Sequence, residues 1–360
     1  MRILVTGGCG FTGFSLLRFF AEASAGIGTR HELIALDSLT RAGSEQNRQK
    51  LASYGVQFIH ADLRSATDVD ALPVVDWVID AAACPSVMAG IDGRTSSRQL
   101  VEHNLLGTIN LLEYCRRHRA GLVLLSTSRV YSIAELNRLP IEESDGAFCF
   151  SEQSAGDLSH VSSRGVTESF SVDPPVSLYG STKRASEIMA LEYGAAFDFP
   201  VWLNRCGLLA GAGQFGRPDQ GIVSFWIHSW QSGRALKYIG YGGNGYQVRD
   251  CLHTEDLARL VQKQLTDLLS TERRIFNVSG GAGNSFSLKQ LSDWCCQRFG
   301  DREVDAVQET RSFDIPWLIL DSSPTIQAWD WSPQISRETI FEQIGDFAEQ
   351  NPDWLSQIGS

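Results

Sequence analysis

A strand-like run at residues 3–6 passes without a linker into Thr6-Gly7-Gly8-Cys9-Gly10-Phe11-Thr12-Gly13, and a helical pattern begins inside that motif. Glycines at 7, 10 and 13 permit a tight turn, let the backbone approach a pyrophosphate closely, and aim a helix N-terminus at negative charge. The spacing is GxxGxxG rather than the GxGxxG of the simplest dinucleotide fingerprint. Its place at the first strand-to-helix junction nevertheless predicts dinucleotide binding through Gly7, Gly10, Phe11, Thr12 and Gly13, against the blander reading of a plain turn.

Further strands are predicted at residues 32–36, 56–59, 76–80, 122–126 and 201–204, with helices at 12–23, 98–118 and 179–197. Strands separated by helices build βαβ units, a parallel sheet covered on both faces, and a ligand crevice where the strand order reverses. The fold class expected is α/β: a doubly wound parallel Rossmann sheet with a smaller mixed α/β substrate-binding domain. After residue 205 the texture changes. Glycine-rich loops at 207–221 and 240–245 lie among aromatic residues, and helical patterns recur at 255–270 and 288–299. The expected division is 1–205 for the dinucleotide domain, with 246–262 returning to it, and 206–245 plus 263–360 for the second domain. Residues 132–178 form a long stretch rich in Ser, Glu and Asp, a length that points to function or mobility.

Charge narrows the partners. Among 360 residues, 31 basic against 42 acidic side chains leave a net charge of −11. That argues against a nucleic-acid or anionic-membrane surface while leaving room for a local cationic pocket. No run approaches a membrane span, and a first strand starting at residue 2 leaves no room for a leader, so a cytoplasmic protein is expected. The eight cysteines show no CxxC pair and no Cys/His ladder, which predicts free thiols and no metal site.

Three further features carry chemistry. Asp37 ends the second strand, where a carboxylate can accept both ribose hydroxyls of NAD and repel the extra phosphate of NADP; its alternative is a turn aspartate. Arg41 nearby pulls the other way, and Asp62-Leu63 after the third strand stand where an adenine contact is expected. Tyr179-Gly180-Ser181-Thr182-Lys183 puts a phenol and an ammonium on one helix face, the cation drawing Tyr179 toward the range of a general base. Thr127 and Ser128 supply hydroxyls at the end of the fifth strand, able either to cap the next helix or to hold a substrate hydroxyl.

Taken together, these residues resemble the extended short-chain dehydrogenase/reductase superfamily, and within it the nucleotide-sugar epimerases and dehydratases, over nearly the whole chain. The likeness rests on Gly7-Gly8-Cys9-Gly10-Phe11, on ESFSVDPPVSLYGSTK at 168–183, on Gln214-Phe215 with Asp219-Gln220-Gly221, and on Gly243-Asn244-Gly245-Tyr246-Gln247-Val248-Arg249-Asp250. It is most like the members that invert C2 of a CDP-sugar. The resemblance implies NAD as cofactor, a nucleotide-diphosphate sugar as substrate, and a homodimer. It implies Tyr179 as base, Lys183 on the nicotinamide ribose and Thr127 as the third catalytic member. Ser38, Ala82, Asn104 and Cys206 are implied beside the cofactor, Asn104 having the alternative of a buried, satisfied helix residue. Ser128, Gln214, Gln247, Arg249 and Arg311 are implied around the substrate, the last four at its diphosphate, where an arginine can bind bidentately.

The implied reaction oxidises a sugar hydroxyl to a ketone and returns hydride to the opposite face. A UDP-sugar 4-epimerase would use the same Tyr–Lys pair. A 4,6-dehydratase typically carries Asp-Glu directly after the Thr, where this chain has Ser128-Arg129. A non-catalytic NAD-binding sensor or scaffold usually lacks the Tyr or the Lys. The long 132–178 segment, Cys84 in place of a glutamine, and Trp317 in a region usually more polar imply a different sugar pocket.

Overall fold

The computed structural model describes residues 1–27, 31–91, 93, 96–154, 158–266 and 272–359. Its centre is a seven-stranded sheet made of β1 (Arg2–Thr6), β2 (Glu32–Asp37), β3 (Gln57–His60), β4 (Trp77–Asp80), β5 (Gly121–Thr127), β6 (Val201–Cys206) and β7 (Ile275–Val278). The order across the sheet is β7-β6-β5-β4-β1-β2-β3, and every neighbouring pair is parallel. The order reverses between β1 and β4, so the crevice opens beyond the ends of those strands, where the glycine motif sits.

Both faces of the sheet are covered, which is why the strands read as nearly continuous apolar runs. On one face α1 (Phe11–Ile27) brings Leu16, Leu17 and Phe20 onto the sheet, beside Leu257, Leu260 and Val261. On the other, α2 (Gly107–His118) contributes Leu111, Leu112 and Cys115, and α3 (Ser177–Phe197) contributes Ala190. The helix expected at 98–118 is interrupted by a wide turn at Glu102–Leu106, in which the Gly107 N–H reaches back five residues to the Glu102 carbonyl. Such turns re-aim one side of a helix and recur at functional sites. Here the turn carries Asn104.

The remainder forms a second layer around α4 (Ile222–Ser232), α6 (Leu288–Phe299) and α7 (Arg337–Gln350), with a four-stranded sheet built from Leu208–Ala210, Val248–His253, Ser285–Ser287 and Trp317–Leu318. Between α4 and α6 in the chain, α5 (Thr254–Thr266) packs instead on α1; the end of its expected pattern, 267–270, lies outside the described residues. The expected division does not follow the sheets. Strand β7, four residues long and inside the range given to the second domain, joins the central sheet, whereas Val248–His253 belongs to the small one.

The described residues of 132–178 are built into the second layer. They fold a hairpin, Ile141–Ser144 with Ala147–Phe150, and share a core with the small sheet. Phe150 stacks on Trp317 with ring centroids 5.6 Å apart, and the Ser287 hydroxyl donates to the Gly146 carbonyl at 2.7 Å. The eight cysteines are thiols outside any disulfide. Among the described residues, no helix is long and apolar enough to cross a membrane, and no His/Cys/Asp/Glu group could hold a metal ion.

Candidate active site

A cavity of about 680 Å³ lies between the central sheet and the second layer. Its floor is the glycine motif: Gly7, Gly10, Phe11, Thr12 and Gly13 all line it. The cradle depends on missing side chains. A Cβ at Gly13 would fall 2.2 Å from the Gly7 carbonyl oxygen, and Gly7 itself turns at φ +60°. The start of α1 therefore meets the loop backbone directly, leaving N–H groups for an anion.

Asp37 stands beside this loop rather than in the cavity wall, accepting from the Cys9 N–H at 2.9 Å and the Leu39 N–H at 2.8 Å. Those bonds fix its carboxylate at the edge of the cradle, although the turn role weighed for it is also filled. Ser38 and Ala82 flank the same strand ends without lining the cavity; the Ser38 hydroxyl bonds to that of Thr40, 2.9 Å away, and the Ala82 N–H donates to Thr6 Oγ1. Asp62-Leu63, where an adenine contact is expected, follow β3 without lining the cavity. The Asp62 carboxylate is occupied by Arg64 at 2.6 Å, and Leu63 is buried in the core. Arg41 does face the cavity, but its guanidinium reaches across it, donating to Gln220 Oε1 at 2.5 Å and the Phe215 carbonyl at 2.6 Å.

Above the cradle, the ends of β5 and α3 bring Thr127, Tyr179 and Lys183 together. Contact is close because α3 carries Gly180, where a Cβ would lie 2.3 Å from the Arg129 carbonyl oxygen. Glycine costs about 1 kcal/mol in a helix interior, and here it admits the chain leaving β5. Tyr179 is 6 % exposed and Lys183 2 %. The Thr127 hydroxyl lies on the side of the Tyr179 phenol, and Lys183 Nζ donates to the Leu125 carbonyl at 3.0 Å.

Burial dominates the electrostatics. It pushes the Tyr179 phenol up to about 12, against the Thr127 hydroxyl and the Arg129 charge, which lower it. Burial also lowers the Lys183 ammonium, opposed by Asp80, Cys206 and Glu187. The Arg129 guanidinium, on the chain leaving β5, thus adds a second cation on the side of the phenol. Sequence reasoning noted Arg129 only as a departure from pattern; its place just after the strand-end hydroxyls was the available signal.

Asn104 lies behind the site. Its side-chain amide donates to the Cys84 carbonyl and to Thr182 Oγ1 and accepts from the Cys84 N–H, so both of its N–H groups are used within the protein. Cys206, also in the wall, is buried, and its thiol is pushed up to about 12 by that burial.

Ser128, next to Thr127, and Gln214, Gln247, Arg249 and Arg311 also line the cavity. Arg249 is held by the Ile315 carbonyl at 2.8 Å and by Asp314 at 3.5 Å. Arg311 is exposed at the rim, with one long bond of 3.4 Å to the Pro218 carbonyl. No described residue of 132–178 lines the cavity.

The NAD dependent epimerase/dehydratase family matches residues 3–279. The chain belongs to that family. It is 30% identical to the CDP-paratose 2-epimerase of Salmonella typhi, over 99% of this chain and all of that one. It is 25% identical to a dTDP-glucose 4,6-dehydratase of Escherichia coli, over 99% of this chain and 96% of that one. The UDP-glucuronic acid 4-epimerase of Bacillus cereus, solved with UDP-glucuronic acid and NAD, superposes with a TM-score of 0.75 at 23% identity, covering 97% of this chain and 99% of that one. The protein is therefore an NAD-dependent enzyme of the extended short-chain dehydrogenase/reductase type, acting in a family of nucleotide-sugar epimerases and dehydratases. The cradle fits the dinucleotide: the space a Cβ would fill at Gly13 and the free helix start are what a pyrophosphate requires.

Proposed function

We propose that the protein is a nucleotide-sugar epimerase that inverts C2 of a CDP-sugar. The observation carrying this reading is the charge beside Tyr179. Elimination of water needs a free acid and base near the sugar, and Arg129 occupies that place. The carboxylates lining the cavity are all committed: Asp219 to Ser86, Asp250 to the Gly281 and Leu320 N–H groups, Asp314 to Arg249 and the Ile315 N–H. A dehydratase is thereby disfavoured, and the 30% identity with a 2-epimerase along the full chain supports C2 and a CDP-sugar.

In this reading Thr127 holds the sugar hydroxyl and Tyr179 Oη takes its proton. Arg129 and the Thr127 hydroxyl work against the cost of a buried phenolate. Lys183, anchored on Leu125, orients the nicotinamide ribose. NAD, held by the Gly7–Gly13 cradle and Lys183, would supply the hydride chemistry at the sugar carbon that Thr127 and Tyr179 hold in place. Asp37 takes the adenosine ribose, and Arg249 with Arg311 keeps the nucleotide diphosphate in place while the sugar turns over. Two copies pair through α2 and α3, whose neighbourhood leaves Val101, Leu106, Leu178 and Ile188 exposed.

The test is proton NMR of the purified protein with CDP-paratose, CDP-tyvelose and UDP-sugars, with no cofactor added. Inversion at C2 of a CDP-sugar is expected. Inversion at C4 of a UDP-sugar, or a 4-keto-6-deoxy product, would overturn the assignment.

A further inference from the structure

Gln247 makes an unusual set of hydrogen bonds. Its Nε2 donates to the Ile239 carbonyl at 2.7 Å and, more weakly, to Asp314 Oδ2 at 3.4 Å, which uses both N–H groups. The reverse orientation of the amide would set oxygen against oxygen at Ile239, so the orientation is fixed. Its Oε1 is left buried in the cavity wall with no partner. A buried acceptor without a donor costs about 1–3 kcal/mol, and it repels a phosphate. The implied role at the diphosphate therefore does not suit this atom; what suits it is a hydroxyl or amine on the ligand. Gln247 and Arg249 are two residues apart and share Asp314 as a partner. Walking along a nucleotide from a diphosphate at Arg249, the first donors met are the ribose hydroxyls.

We propose that Gln247 reads the ribose of the substrate nucleotide, Oε1 accepting a hydrogen bond from one of its hydroxyls. This rests on the nucleotide-sugar reading and adds to it a basis for preferring ribonucleotide over deoxyribonucleotide sugars. Asp314 is the positioning residue, holding the glutamine and the arginine in one arrangement.

The experiment is isothermal titration of the NAD-loaded protein, wild type and Gln247→Met, with CDP, UDP, 2′-deoxy-CDP and 3′-deoxy-CDP. One deoxy analogue is expected to bind the wild type about tenfold more weakly than CDP. In Gln247→Met that gap closes because CDP weakens, while the weaker analogue keeps its own affinity. The inference is overturned if both deoxy analogues match CDP on the wild type, a comparison independent of how the variant folds. It is overturned equally if the gap survives in Gln247→Met. A CDP-over-UDP preference that disappears with Gln247, with both deoxy analogues neutral, would assign the atom to the base amine instead. If none of the four binds, the nucleotide-sugar reading itself fails and takes this one with it.

Discussion

Arg205 Nη2 stands 2.8 Å from Glu187 Oε2, and the two side chains are 2 % and 0 % exposed. Arg205 Nε and Ser126 Oγ also donate to Glu187 Oε1, at 3.0 and 2.6 Å. Glu187 lies four residues past Lys183 and eight past Tyr179, on the same face of α3. The pair thus bolts the reactive face of α3 to the ends of β5 and β6. Breaking one partner of a buried pair costs about 3–5 kcal/mol, because the other charge is stranded. Glu187→Gln should lower unfolding stability by about 3 kcal/mol in a urea titration, and kcat should fall with it. Replacing Glu187 and Arg205 together with Met should recover much of the stability but not the rate.

Tyr179→Phe removes the proposed base and leaves the cradle intact. Turnover should drop by about 10²–10⁴-fold while the purified protein keeps its NAD, measured by release on denaturation. Retained turnover in that variant would point to a different base.

Gly13→Ala should do the reverse. Its Cβ would collide with the Gly7 carbonyl oxygen at 2.2 Å, between two pieces of backbone that cannot yield cheaply. The protein should purify without NAD, seen as a loss of excess absorbance at 260 nm, and should be inactive for that reason.

His228 is 1 % exposed, with neither ring nitrogen bonded, and burial lowers it to about 4. Between pH 4 and the ordinary histidine range the unfolded chain binds more protons than the folded one. Stability should therefore fall as pH drops through that interval, with a limiting slope of about 1.4 kcal/mol per unit. Asp250, raised to about 6 by burial, acts with the opposite sign over much of the same range. The informative comparison is therefore Tm against pH for wild type and His228→Leu. The difference between them should be largest near pH 4 and fade by pH 7.

The sheet was largely readable from the sequence because parallel strands buried on both faces leave uninterrupted apolar runs. β1, β2, β4 and β6 start within a residue of their expected places. β7 was not readable: Ile275–Val278 is short and pairs with β6 from about seventy residues away, so only the tertiary fold reveals it. At the site, the Tyr179–Lys183 spacing announced a shared helix face, since that is local geometry. The second cation was not local. Arg129 arrives from another element, while Lys183 turns to the Leu125 carbonyl. The ion pair of Asp62 with Arg64, two residues away, was not read from the sequence either.

The hairpin at 141–150 props up the small sheet through Phe150 and Trp317 and stays out of the cavity. Thermal tolerance and substrate choice are thereby carried by different stretches of chain. Substitutions in the hairpin should shift the melting temperature while the residues lining the cavity stay as they are. An engineer seeking a sturdier catalyst has a region to redesign that leaves selectivity alone.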